Sequence, residues 1–195
     1  MTEKRHPALS RRWEGIGVWV ALLLLSTISA HAQAPTRAQM LDRMFGALQA
    51  APDEQSAGQI EQAITSQLID AASPAVKLLL ARGLRELGET PQDALDDFNA
   101  TLDLDPTLVE GWHSRALAHA SLGDTAAAES DIAHAIQLEP RNFAAFVDLS
   151  RIAEQHKDWR GAMEAEQKAL ETDPKTPGGA ERLKDLQRRV FGEPT

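Results

Sequence analysis

Cysteine is absent from all 195 residues. That removes disulfides, thiolate metal sites, a cysteine nucleophile and a lipidated N-terminal cysteine together. It suits an oxidising compartment without requiring one. Basic residues are scarce beside acidic ones, 20 against 29, for a net charge of −9. A general nucleic-acid binder needs clustered lysine and arginine on phosphate, so nucleic acid is excluded as a partner. Also missing are a G-x-S-x-G elbow, an H-E-x-x-H helix and a phosphate-binding glycine loop. Hydrolysis needs a nucleophile, a base and an orienting group held together. The expectation is therefore a non-enzyme, with no cofactor, metal or small-molecule substrate. Hydrophobic residues make up 43% and charged residues 25%, so the chain carries enough apolar material to fold.

Long apolar runs are missing except near the start. Lys4, Arg5, Arg11 and Arg12 precede an uncharged run from Gly15 to Ala30, with Val18–Leu25 at its centre. Ala30-His31-Ala32 then gives a small-x-small tripeptide. A basic region, a short apolar core and that tripeptide predict a signal peptide over 1–32, cleaved after Ala32. The run is shorter than the roughly 20 residues a spanning helix needs, so an uncleaved inner-membrane anchor is the lesser reading and the only membrane contact expected. Either way the positive end stays inside and the rest is exported, to the periplasm in a two-membrane cell. Ser10-Arg11-Arg12 hints at twin-arginine export, but Trp13-Glu14 departs from that pattern. Cleavage removes four basic and two acidic residues, leaving −11.

What the chain does have is a period. Pro106, Pro140 and Pro174 stand 34 residues apart, each closing a similar phrase: Leu102–Pro106, Ile136–Pro140, Leu170–Pro174. A fixed period of that length predicts a repeated supersecondary unit. Upstream, Thr36 can cap a helix reaching about Ala50, with Met40, Leu41, Met44, Phe45 and Leu48 at helical spacing. Pro52-Asp53 starts a second helix carrying Ile60, Ala63, Ile64, Leu68 and Ile69. Downstream, Pro177-Gly178-Gly179 interrupts the chain before a last helix. Its Leu183, Leu186, Val190 and Phe191 share one side, and Arg182, Lys184, Asp185, Arg188 and Arg189 share the other.

Inside the period the residues resemble the tetratricopeptide repeat. Trp112, Ala116, Gly123-Asp124, Ala128, Ile132, Ala135 and Pro140 fit its pattern best, with Arg115 and His119 in slots usually held by leucine and an aromatic. The third unit offers Phe146, Leu149, Ser150, Ala153, Trp159, Ala162, Ala169 and Pro174, with Glu166 where a bulky apolar residue is usual. The first offers Leu80, Ala81, Leu84, Gly88, Ala94, Phe98 and Pro106, with one extra residue in its turn and Thr101 for alanine. Leu79–Gly83, Glu110–Trp112 and Trp159–Ala162 also resemble exported bacterial tetratricopeptide proteins of unassigned function.

The resemblance implies an all-α, right-handed superhelical solenoid of antiparallel helix pairs. Its units would be a degenerate repeat or N-terminal cap at 33–74, repeats at 75–106, 109–142 and 143–176, and a capping helix at 178–191. It also implies a concave groove lined by the first helix of each pair. The groove would hold Arg82, Arg85, Glu110, His113, Arg151, Glu154 and Gln155, and bind a protein or peptide segment. Arg82, His113 and Arg151 would form a positive stripe for an acidic segment. The carboxylate clamp of some relatives would fall on Leu78, Arg82, Ser114, Ala144 and Asp148, of which only Arg82 is basic, so a clamp is not supported. Glu110-x-x-His113 and Asp131-x-x-His134 have ligand spacing but lie on different helices facing apart. Two functions follow: an exported, non-catalytic scaffold binding through its groove, or an accessory subunit that stabilises an envelope enzyme or assembly complex.

Overall fold

The computed structural model describes residues 34–192, so the signal peptide expected at 1–32 lies outside the described residues. Nine helices and no strands occur among the described residues: α1 (Arg37–Gln49), α2 (Glu54–Asp70), α3 (Pro74–Glu86), α4 (Pro91–Leu104), α5 (Val109–Ser121), α6 (Thr125–Leu138), α7 (Phe143–Gln155), α8 (Trp159–Thr172) and α9 (Gly179–Phe191). No helix among the described residues is long and apolar enough to cross a membrane.

Side chains written into the sequence start most of them. Thr36 and Gln39 form a reciprocal capping box on α1. Asp53, Ser73, Asp124, Asn142 and Asp158 each accept a backbone N–H in the first turn of the helix that follows. Each such cap stabilises its helix by about 1 kcal/mol. Gly123 turns α5 into α6 with a φ of +83°, a backbone state costly for any residue with a Cβ.

Helices α3–α4, α5–α6 and α7–α8 are antiparallel pairs, and each pair crosses over a small residue. Ala116 and Ala128 meet with Ile132 in one core, all almost fully buried. Ser150 and Ala162 take the same places a period later and are likewise buried. Successive pairs also meet on small residues. A Cβ on Gly111 would stand 2.8 Å from Leu102, and one on Gly179 would stand 2.8 Å from Leu170. Gly111, Ala145 and Gly179 are one period apart, so α9 opens a further unit in register with the stack. It buries Leu186 against Ala162 and Met163.

Two sequence expectations need correction here. In the first pair the crossing residue is Gly83, not Ala81: a Cβ there would come within 2.6 Å of the Phe98 ring, whereas Ala81 is exposed and Leu84 is 47% exposed. Gly83 precedes Ala94 by 11 residues where Ala116 precedes Ala128 by 12, so the spacing there is one shorter. Secondly, α1–α2 does not stack ahead of α3 as a repeat or cap would. It folds back, α2 packing on α5 and α1 on the end of α8. The hairpin brings its own core, Leu41, Phe45, Leu48, Ala57, Ile64 and Leu68, and shares it with Phe143 at the start of α7.

Gly83→Ala tests this register. Alanine normally stabilises a helix interior by about 1 kcal/mol over glycine. At this crossing the sign should reverse, with a loss of roughly 1–3 kcal/mol in denaturant unfolding because the Phe98 ring must move. Ala81→Leu on the exposed face should leave stability within about 0.5 kcal/mol.

Candidate interaction surfaces

The first helix of each pair faces its own partner, the preceding unit and the following unit, and leaves one side open. For α5 the packed neighbours are its partner α6, then α4 and α3 of the preceding unit, and α2 of the hairpin; His113 links it to Asp148 of α7. The first helix of the middle pair is therefore contacted by a helix of the same chain. His113, expected in the groove, is only 8% exposed and lies between two acids, one on each side. Its Nε2 is 2.9 Å from Asp148 on α7, and its Nδ1 is 3.9 Å from Glu110. Burial opposes the imidazolium, but the hydrogen bond to Asp148 and the charges of both acids outweigh it, so His113 titrates above the ordinary range. Burial pushes Glu110 up. Burial also acts to raise Asp148, but His113 and Arg151 overcome it and hold that carboxyl below its usual range.

The other expected groove residues divide. Arg82 is not a free groove cation: its guanidinium crosses to α4 and pairs with Asp97. Arg151 pairs with Asp148 at 2.9 Å. Glu154 pairs with Arg182 of α9 at 2.8 Å. Arg85 and Gln155 are exposed at the surface. The positive stripe is thus absent, because Arg82, His113 and Arg151 each face a carboxylate. Arg182 also departs from the expected outer face. It reaches inward, its Nε lying 3.3 Å from Glu166, which is 1% exposed. A buried carboxylate in an apolar slot is tolerable only with such a partner.

The tip of the hairpin meets the rim where second helices end and first helices begin. Arg141 reaches Asp42 at 2.7 Å and lies 4.2 Å over the Phe45 ring. Gln49 donates to the Glu171 carbonyl at 2.7 Å. Further along, Glu61 of α2 faces Asp173, which is fully buried and accepts from the Lys175 backbone and the Thr176 hydroxyl. Burial, then the Asp173 charge, pushes Glu61 up to about 7. Two carboxyls sharing one site hold a proton that neither would hold alone.

A TPR repeat-containing protein of Rhizobium etli is 26% identical over 158 residues, 80% of this chain and 78% of its own length. The first TPR of Spaghetti (RPAP3), bound to the HSP90 peptide SRMEEVD, superposes with a TM-score of 0.57 at 21% identity, over 61% of this chain and 95% of that one. The Sgt2 TPR domain from Aspergillus fumigatus gives 0.58 at 22%, over 64% and 88%. MamA gives 0.56 at 18%, over 80% and 84%. The chain has the all-α solenoid fold of tetratricopeptide-repeat structures. No family model matches it.

Sequence reasoning missed several residues that define these surfaces, Asp97, Asp173, Glu61 and Arg141, and read Asp131 only as a candidate metal ligand, not as the partner of Arg115. A signal for two of them was present. Arg82–Asp97 and Arg115–Asp131 repeat one charge pair at nearly equal spacing in successive units, and the structure closes both. Nothing in the sequence signalled Glu61, whose partner lies more than a hundred residues away.

The Glu61 contact predicts a pH effect of definite sign. A carboxyl raised on folding binds its proton more tightly in the folded state, so its contribution is full below about pH 4.5 and fades as pH rises towards about 7. Glu61→Gln should remove that slope and stabilise hairpin docking at pH 8. Solvent screens the half-exposed Glu61, so the gain should be about 1 kcal/mol or less. Amide exchange in α2, compared at pH 5.5 and 8, checks it.

Proposed function

We propose that this chain is an exported, non-catalytic interaction scaffold that holds a protein or peptide partner on the repeat stack. The observation that supports this reading is the packing of α2 on α5; in our reading that side is the groove, and its present occupant is part of the same chain. A partner helix or peptide using the groove competes with α1–α2. The hairpin makes a suitable competitor because it keeps its own core and meets the rim through polar contacts to Arg141, Glu171 and Asp173. The Spaghetti domain holds an HSP90 peptide. A clamp of that acidic kind is not offered here, since Arg82 is engaged by Asp97 and Asp148 by His113.

The accessory-subunit reading gains from the same observation. A chain whose groove is filled in cis presents its other faces to an assembly. The absence of cysteine makes a clean experiment available. Gln49→Cys and Glu171→Cys, joined by a short bis-maleimide, lock the hairpin to the rim. Capture of partners from envelope extract should fall in the locked protein and persist in the unlinked double variant. Equal capture by both would remove the groove and favour the accessory reading.

Export has its own support in the basic, apolar and small-residue order of the N-terminus. The mature protein should begin at Gln33. N-terminal sequencing of native material checks this, and a soluble cytoplasmic form starting at Met1 would overturn it.

A further inference from the structure

The outer faces of the second helices are not equivalent. Over α5, between α4 and α6, the space is filled by the chain's own side chains. The Trp112 ring stacks on His134 at 4.1 Å, and the Arg115 guanidinium lies 4.7 Å from the Trp112 centroid. Arg115 also bonds Asp131 at 2.7 Å and reaches Asn99 of α4 at 3.1 Å. One period later, over α7 between α6 and α8, the corresponding residues are Phe146, Lys168, Leu149, Ala165 and Ala133. Every polar link is gone, and most of the replacements are smaller. Lys168 pairs with Glu171 at 2.7 Å. What remains is an open cavity of about 790 Å³ floored by Phe146, Leu149, Ala153 and Ala165. Around it stand Glu129, Asp158, Glu164 and Glu171, against the single cation Lys168.

We propose that this slot is a second docking site, taking an amphipathic partner helix whose apolar side chains enter between α6 and α8 and whose flanking lysines or arginines meet the acidic rim. The inference rests on the scaffold reading but not on the groove. The preceding unit shows what completes the slot: an aromatic stack and a guanidinium, here to be supplied from outside. The volume accommodates apolar anchors one helical turn apart. The excess of carboxylates on the rim selects a cationic partner and speeds its arrival, while the apolar floor holds it.

The test uses two synthetic amphipathic helical peptides with the same leucine anchors, one flanked by lysine and one by glutamate. Calorimetry at low and high salt gives affinity, and methyl shifts of Ala153 and Ala165 report location. The lysine peptide should bind, weaken with salt, and shift those methyls, and the glutamate peptide should not. Leu149→Arg/Ala165→Asp rebuilds the filled slot and should abolish binding. Glu129→Lys/Glu164→Lys, on exposed side chains that leave the fold unaffected, should weaken it by about tenfold or more. No binding of the lysine peptide, equal binding of both peptides, or full affinity in the charge-reversed protein would overturn the proposal. The hairpin-locked protein should bind the lysine peptide as tightly as the unlinked Gln49→Cys/Glu171→Cys variant does, so this site and the groove fail or succeed separately.

Discussion

Each helix pair closes over a residue with almost no side chain. Gly83, Ala116 and Ser150 stand at the three crossings, facing Ala94, Ala128 and Ala162, all fully buried or nearly so. Close approach of two axes leaves no room for more than a methyl or hydroxyl. Everything larger is then pushed to the flanks of the crossing: Phe98, Ile132 and Glu166 occupy the equivalent flank position in successive units. The first two are apolar and need nothing further. The third is a carboxylate, raised above its ordinary range by burial although Arg182 pulls it down. The charge in unit three thus explains why the closing helix carries an arginine on its inner side. A fold element and an ion pair follow from one steric rule.

The repeat was legible because its constraints are local. Three prolines fix the period, small residues mark the crossings, and caps at Thr36, Asp124 and Asp158 sit where a helix must begin. The failures share a cause. In the first unit two alanine-like candidates, Ala81 and Gly83, lie close enough that a pattern fitted by leucines selects the wrong one. Only the Phe98 ring on the facing helix decides between them. Arg182 looked like one more charge on a polar face, because a sequence does not reveal that a carboxylate sixteen residues earlier is buried beneath it.

The hairpin is the larger lesson. Its two helices have repeat-like lengths and an apolar face, which is all that periodicity reports. They lack the period's proline and small-residue series, so nothing in them requires the stacked geometry. Free of that register, α1–α2 buries Phe45 and Leu48 within itself and offers the remainder to α5 and Phe143. The groove residues then change character. His113, expected as an open groove residue, is instead a buried imidazole between Glu110 and Asp148. The same residue types yield a neutralised, closed surface in place of a cationic one.

Self-occupation also changes which surface carries information about partners. Along the concave side, charges are satisfied internally: Arg82 by Asp97, Arg151 by Asp148, Glu154 by Arg182. On the outer side the two inter-unit spaces differ, one filled by an aromatic stack and a guanidinium, the next bare. Repeats of equal length ought to pack alike, and where they do not, the departure lies in side chains and not in backbone. Replacing Arg115 and Asp131 with Leu149 and Ala165 removes a bidentate ion pair without disturbing the crossing at Ser150 and Ala162. The stack therefore stays intact while one of its seams opens. An acidic body with an apolar seam rimmed by carboxylates is an incomplete surface in the physical sense, exposing apolar area that a cationic amphipathic segment would cover.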